Sequence, residues 1–295
     1  MIVFDPKTSL VLIIAFLNFI LGGFVYLQNQ KEAVNRTFGI MTLLVGLWAI
    51  SAFIFRSVPL NGLSYLFGFV LYDVAALLPT SFLLMTLTFP PYSLFSKKIF
   101  GLLIVETAAV IWAVNTPNLI IKDLILENGE KILIWGRYYF IYVLHLASLF
   151  SIGYFVLLRK FRKAEGIERQ QVKYIIFGTI LPANGAMLTN LILPWVGIYQ
   201  FYTWLGQIFM VFLVLFSGYA IIKHHLFNLR VIATELLIFT IWIFLLVRFL
   251  SGAALIDKLV DGTILILTII AGIFLIKSVI KEVEQREKLE VLTKQ

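Results

Sequence analysis

Two carboxylic acids stand inside long apolar runs of this sequence, Asp73 in FVLYDVAALLPTSFLL and Glu106 in LLIVETAAVIW. An ionisable side chain in such surroundings is costly unless it faces protein or water. Each acid is therefore a candidate for bundle hydrogen bonding, for a ligand pocket or for a proton path. Pro79 and Thr80 follow Asp73 by about two turns, where a missing N–H and a kink would open space. Asn18, His145 in IYVLHLASLF, Asn184, Asn190, Gln207 and Arg248 form a second tier. Neutral amides of this kind hold membrane helices together at about 1 kcal/mol or less, and Arg248 lies close enough to the end of its run to snorkel. The densest polar and helix-distorting stretch is GTILPANGAMLTNLILPWVG, with Pro182, Asn184, Gly185, Asn190, Pro194 and Gly197. The ligand-binding candidates are Asp73, Glu106, His145, Asn184, Asn190 and Gln207, each with a structural role as the competing explanation.

Other chemistry finds no support. The sequence has no Gly-rich phosphate loop, no HExxH and no GxSxG. His224 and His225 are adjacent, and neighbours on a helix point apart, so they make a poor chelate and a better interfacial anchor. The absence of Cys removes disulfides, thiol chemistry and cysteine metal sites. No Lys lies in the middle of an apolar run to carry a retinal Schiff base. No catalytic residue, cofactor or metal is expected.

What must position the polar residues is a membrane bundle. The chain is 61% hydrophobic and 14% charged with 27 Phe, and its mean hydropathy is +0.97. Nine runs are long enough to cross about 30 Å of hydrocarbon: 8–27, 37–56, 64–89, 98–115, 137–158, 172–193, 201–222, 232–250 and 260–278. With the amino terminus outside, the inside segments hold Lys31, Arg36, Lys97, Lys98, the cluster from Arg159 to Lys173, Lys223, Arg230 and the basic residues from Lys277 to Lys294. The outside segments hold only Lys7, Arg56, Lys122, Lys131, Arg137 and Lys258. This asymmetry fixes the orientation, with the carboxyl end in the cytoplasm. The net charge of +8 is thereby a matter of topology and anionic lipid, not of nucleic acid.

The longest outside loop carries LIIKDLIL and KILIWG about Asn128-Gly129, which predicts a β-hairpin over the outer face, as a lid or as a plain connection. Trp112, Trp135, Trp195 and Trp204 suit the outer interface, while Trp48 and Trp242 lie deeper. The fold expected is an all-α polytopic bundle of about nine transmembrane helices with a small extracellular hairpin.

The chain closes on EVEQREKLEVLTKQ, a polar helix-forming stretch without Gly or Pro. Val283, Leu289 and Leu292 are its apolar positions, too few to specify a coiled coil. As a stiff continuation of the ninth span it would transmit rotation or tilt. Lys277, Lys281, Val283, Leu289 and Leu292 are the signal-transmission candidates.

NRTFGIMTLLVGLWAIS, GIERQQVKYIIFGTILPANGAMLTNLILP and LGQIFMVFLVLFSGYAIIKHHLFNLRVIATE together resemble the amino-terminal seven-helix sensor region of bacterial and archaeal histidine kinases. The matching residues are Asn35, Phe38 and Trp48; Arg169, Gln170, Lys173, Tyr174, Asn190 and Pro194; and Tyr219, Ala220, Ile221, His225, Leu226 and Phe227. The likeness covers approximately residues 8–235, and QREKLEVLTK looks like the signalling helix leading toward a kinase domain. It implies three parts: a seven-helix sensor region over 1–230, two further spans over 231–278, which depart from the family pattern, and the start of a cytoplasmic signalling helix over 279–295.

The resemblance further implies a prokaryotic cytoplasmic-membrane protein that detects an extracellular or membrane ligand, whether small molecule, lipid or peptide. It would signal to a cytoplasmic kinase domain in cis, as a possible homodimer. Phosphoacceptor and ATP-binding motifs do not occur before Gln295, so this chain is not expected to be an enzyme by itself. Two other classes stay open: a transporter or membrane enzyme using Asp73 and Glu106, and a stand-alone partner-binding scaffold.

Overall fold

The computed structural model describes residues 6–90, 92–127, 130–196, 203–224 and 255–292, together with 238, 240–242, 244–246, 248 and 249. The chain divides into two compact units, Met1–Ser217 and Gly218–Gln295.

In the first unit, α1 (Pro6–Gln28), α2 (Ala33–Ser57), α3 (Gly62–Thr88) and α4 (Lys97–Asn115) are followed by β1 (Ile121–Glu127) and β2 (Glu130–Trp135). Then come α5 (Tyr139–Lys163), α6 (Gly166–Trp195) and α7 (Thr203–His224), the last running on past Ser217. Local chemistry sets the boundaries. Val58 and Phe89 are extended, the conformation a following proline imposes, so Pro59 and Pro90 end α2 and α3. Asn61 caps α3: its side chain accepts from the Leu63 and Ser64 amides at 3.0 and 3.2 Å, and Ser64 Oγ accepts from the Asn61 amide at 3.1 Å. Gly166, at φ +53°, turns the chain between α5 and α6.

The helices pack as membrane helices do, through small residues that let backbones approach. A Cβ on Gly39 would stand 2.7 Å from Tyr26 Cβ, which keeps α1 close along α2. α2 continues onto α3, and α3 also meets α4 and α5. α4 is less enclosed, with Leu102, Val105 and Trp112 exposed, as a lipid-facing span requires.

The hairpin forms where Asn128-Gly129 predicts it. β1 and β2 pair antiparallel from Glu127 opposite Glu130 to Ile121 opposite Trp135, with an irregularity between Ile121 and Asp123. Asn128 and Gly129 themselves lie outside the described residues. Ile121, Leu124 and Leu133 enter a buried cluster with Phe55, Tyr72, Val114, Tyr142 and Leu191, so the hairpin closes one end of the unit as part of its core. Two polar contacts fasten it. Tyr65 Oη donates to the Leu124 carbonyl at 3.0 Å, and the Lys131 ammonium donates to the carbonyls of Phe55 and Val58 at the end of α2. Those are carbonyls a helix terminus leaves for a cation. Lys131→Met should therefore cost about 1 kcal/mol and speed proteolytic nicking at the hairpin turn several-fold; cleavage rates equal to wild type would show that the apolar face alone holds the hairpin.

In the second unit α8 (Leu255–Leu292) is a single helix of 38 residues. Trp242 Nε1 donates to the Thr268 carbonyl at 2.9 Å, and a Cβ on Gly272 would stand 2.5 Å from the Trp242 ring. Arg248, expected to snorkel, pairs with Asp261 at 2.8 Å while more than half its side chain stays exposed. The backbone of the closing stretch is helical to Leu292, continuous with Val260–Val279 as the sequence suggests. Lys277 is exposed; the side chains of Lys281, Val283, Leu289 and Leu292 lie outside the described residues.

Among the described residues seven helices are long and apolar enough to cross a membrane: six in the first unit, ending with Gly166–Trp195, and Val260–Val279 in the second. Thr203–Ser217 of α7 is a shorter apolar helix. About half of the eighth expected run, 232–250, falls outside the described residues. The chain is thus an all-α polytopic membrane protein of about seven membrane-length helices with a two-stranded hairpin.

Candidate functional site

A cavity of about 70 Å³ lies at the hairpin end of the first unit. Five helices and the hairpin build it: Trp48, Ala52 and Arg56 of α2, Tyr72 of α3, Leu133 and Trp135 of β2, Tyr142 and Phe150 of α5, Ala183 and Asn190 of α6, and Thr203 and Gln207 of α7 contribute to the wall. That is room for a few waters or a small apolar group. Most of the wall is apolar or aromatic, with Arg56 the charged residue among its described members.

Each polar wall residue is placed by its own helix. Arg56 ends a buried stripe on α2 formed by Val45, Trp48, Ala49 and Ala52, and its guanidinium donates to Thr203 Oγ1 of α7. Gln207 is 1% exposed, and its amide nitrogen donates to the Thr203 and Trp204 carbonyls at 2.8 and 3.2 Å. Asn190 sits in a π-helical turn, Leu188–Ile192, that interrupts α6. Such turns admit one extra residue and recur at functional sites. Its amide donates to the Ala186 carbonyl at 3.2 Å, and α7 comes so close that a Cβ on Gly206 would lie 1.9 Å from it. The hairpin side of the wall is an aromatic stack: Trp135 lies on Tyr139 at 4.4 Å and 18°, and Tyr72 is 5.2 Å from Tyr142, whose hydroxyl donates to the Tyr72 carbonyl at 3.0 Å.

The six candidate residues separate into two pairs and two single residues. Asn190 and Gln207 meet at the cavity. Glu106 and His145 meet each other: Glu106 Oε1 is 2.6 Å from His145 Nδ1, and His145 Nε2 is 2.9 Å from the Ala76 carbonyl in the stretch of α3 before Pro79. Both ring nitrogens face oxygen, so the arrangement is satisfied only with a proton between the pair, whether as imidazolium and carboxylate or as imidazole and carboxylic acid. Thr80 and Thr107 hydroxyls lie 2.6 Å apart beside it, making a polar tie of α3, α4 and α5. Asp73 accepts from Asn115 Nδ2 at 2.8 and 3.0 Å, fastening α3 to the end of α4. Neither acid is among the cavity residues, and the two do not converge. Asn184 is exposed, and its amide donates back to the Ile180 carbonyl at 2.8 Å, away from the cavity.

Sequence reasoning missed Arg56, Trp135 and Thr203. Arg56 counted as a loop charge, although its spacing from Trp48 and Ala52 is the signal that places it on the inward stripe. Trp135, expected as an interfacial anchor, is a wall residue instead, because the hairpin folds into the core; Trp112 and Trp195 are exposed as expected.

The arrangement defines a multi-pass helical membrane protein with a built cavity at one end. Residues 10–230 match the family described as the N-terminal 7TM region of histidine kinase. The match spans most of the chain, so the protein belongs to that family and is a seven-helix membrane sensor domain of the histidine-kinase type; α1 to α7 fall almost entirely within it. What residues 10–230 carry of such a kinase is the membrane region and not a catalytic domain. Comparison with curated proteins found no match, and comparison with solved structures found none either.

Proposed function

We propose that the cavity is the ligand site of this sensor and that occupancy shifts the bundle between two states, read out by a kinase domain in cis through α8. The carrying observation is that one small cavity gathers walls from α2, α3, β2, α5, α6 and α7, so a molecule bound there touches five helices of the first unit and the hairpin at once. A ligand acts in this way only by binding one state more tightly than the other. The hairpin end faces outside, the amino terminus is outside and the carboxyl terminus cytoplasmic, in a prokaryotic cytoplasmic membrane, as the Lys and Arg distribution supports. Nine spans fit that orientation, organised as the sensor region 1–230, two further spans over 231–278 and a signalling helix from 279. Lys277, Lys281, Val283, Leu289 and Leu292 carry the output, and a homodimer presents two such helices to the kinase.

The protein has no Cys, so Leu289→Cys carries a spin label without background. In the full-length protein in lipid nanodiscs, filling the cavity with Ala183→Leu should change the mobility of that label or the distance between labels in a dimer. Identical spectra from a folded Ala183→Leu protein and from wild type would refute transmission from this cavity.

A further inference from the structure

We infer that Glu106 and His145 form a second, lateral binding site, open to the bilayer, for a neutral membrane-dissolved molecule that carries a hydroxyl in the interior of an apolar body. Neither residue is among the described walls of the cavity, and this site does not rest on the reading of the cavity. Glu106 stands at the midpoint of the 19-residue α4, roughly 14 Å from either end at the helical rise, and 39% of its side chain is exposed. Leu102, Val105, Ala108 and Ala109 around it are exposed, so this face of α4 meets hydrocarbon. One carboxyl oxygen is taken by His145 at 2.6 Å. The other, Oε2, has a single polar neighbour among the described residues, Thr107 Oγ1 at 3.5 Å. That hydroxyl has one hydrogen, and the Leu103 carbonyl at 2.8 Å and Thr80 Oγ1 at 2.6 Å both lie nearer to it. Oε2 is therefore an acceptor short of a donor, in a solvent that supplies none.

Either placement of the shared proton gives the same result. As carboxylate beside imidazolium, or as acid donating to imidazole, Glu106 presents lone pairs and no hydrogen at Oε2. The missing partner is a donor, which excludes ethers, ketones and ionised acids. The pair is neutral as a whole, so an ammonium would bring into hydrocarbon a charge with nothing to balance it. An amide would bring its own carbonyl to be satisfied at the same depth, which leaves a neutral hydroxyl. Depth then fixes where that hydroxyl sits in its molecule. A terminal head stays at the interface, whereas Glu106 lies about half the hydrocarbon thickness below it. The hydroxyl must be flanked by hydrocarbon on both sides, as in a mid-chain alcohol or a dialkylphenol. Ala109, one turn along α4 from Glu106, and Ile141, one turn along α5 from His145, are exposed, and the small alanine leaves room beside the acid.

The test places the full-length protein in lipid nanodiscs with a diazirine-bearing symmetrical pentadecanol, its hydroxyl on the central carbon, and maps labelled residues by mass spectrometry. Labelling is expected at Val105, Ala109, Ile141, Leu144 or Ser148, about tenfold above that by the methyl ether of the same probe. The unlabelled central alcohol and a dialkylphenol should both compete, and the terminal alcohol and the central amine should not. Glu106→Leu should abolish the preference for alcohol over ether, as should Ala109→Leu, which fills the space and leaves the pair intact. Glu106→Gln should keep it, because the amide nitrogen then donates to His145 Nδ1 and turns the amide oxygen outward; this variant separates a lost acceptor from a lost fold. Asn184→Leu, which removes a polar group from another lipid-facing helix, should change nothing. Equal labelling by alcohol and ether, a preference that survives Glu106→Leu, or equal competition from the terminal alcohol or the amine overturns the inference. So does labelling that appears with a single copy per nanodisc and vanishes with a pair, which gives the acceptor to a neighbouring chain.

Discussion

Lys160→Met is expected to destabilise the first unit by about 3 kcal/mol, seen as a lowered unfolding temperature in nanodiscs, while Arg162→Met in the same basic run changes it by under about 0.5 kcal/mol. Lys160 is completely buried although it belongs to RKFRK. Its ammonium donates to the carbonyls of Tyr92 at 2.7 Å, of Leu87 at 3.4 Å and of Phe89, and lies 5.2 Å from the Tyr92 ring. Leu87 and Phe89 belong to the end of α3, where carbonyls have no partner within the helix and the macrodipole favours a cation. A Met of similar length keeps most of the packing and removes every donor, so the loss isolates the polar contacts. Arg162, one turn position round, is exposed. Equal unfolding temperatures for the two variants would mean that the carbonyls of 87–92 need no ammonium.

The second large effect concerns Glu106 and His145. Either Glu106→Leu or His145→Leu alone should cost about 3 kcal/mol, and the double substitution should cost clearly less than the sum, giving a coupling of about 2 kcal/mol in a double-mutant cycle. Glu106 stands at the midpoint of α4, and over a third of its side chain is on the surface, which there means lipid; His145 is 3% exposed. Removing the histidine leaves a carboxyl group facing hydrocarbon without its nearest partner, and removing the acid leaves a buried imidazole nitrogen aimed at a void. Removing both exchanges a polar tie for apolar packing. Additive costs would show that the 2.6 Å contact carries no specific energy.

The parts of the fold legible in sequence are those governed by short-range rules. Asn128-Gly129 between two β-prone runs locates the hairpin, and the prolines at 59 and 90 end the helices before them. The site was legible only in part, because in a membrane helix both faces are apolar and hydrophobic contrast no longer distinguishes inside from lipid. Asn184 shows the difficulty. Phe177, Leu181 and Leu188 lie on its face and are exposed, yet the same residue types in a soluble helix would mark a core. Lys160 fails in the opposite sense. It shares a stripe with Leu149, Gly153, Val156 and Leu157, a spacing that was available, but its charged neighbours made the run read as a lipid anchor. Pairs such as Glu106 with His145 depend on how three helices are arranged, which no local pattern encodes.

The uninterrupted length of α8 has a mechanical consequence. At the helical rise its 38 residues make a rod of roughly 57 Å, about twice the hydrocarbon thickness. A rod of that kind is a lever. If it pivots near the middle of Val260–Val279, its far end at Leu292 lies roughly 33 Å from the fulcrum, so a tilt of about 5° becomes a sideways throw of about 3 Å, comparable with half the pitch of a helix. Displacements too small to see as a rearrangement at the fulcrum thus arrive at the end of the arm large enough to change which side chains meet.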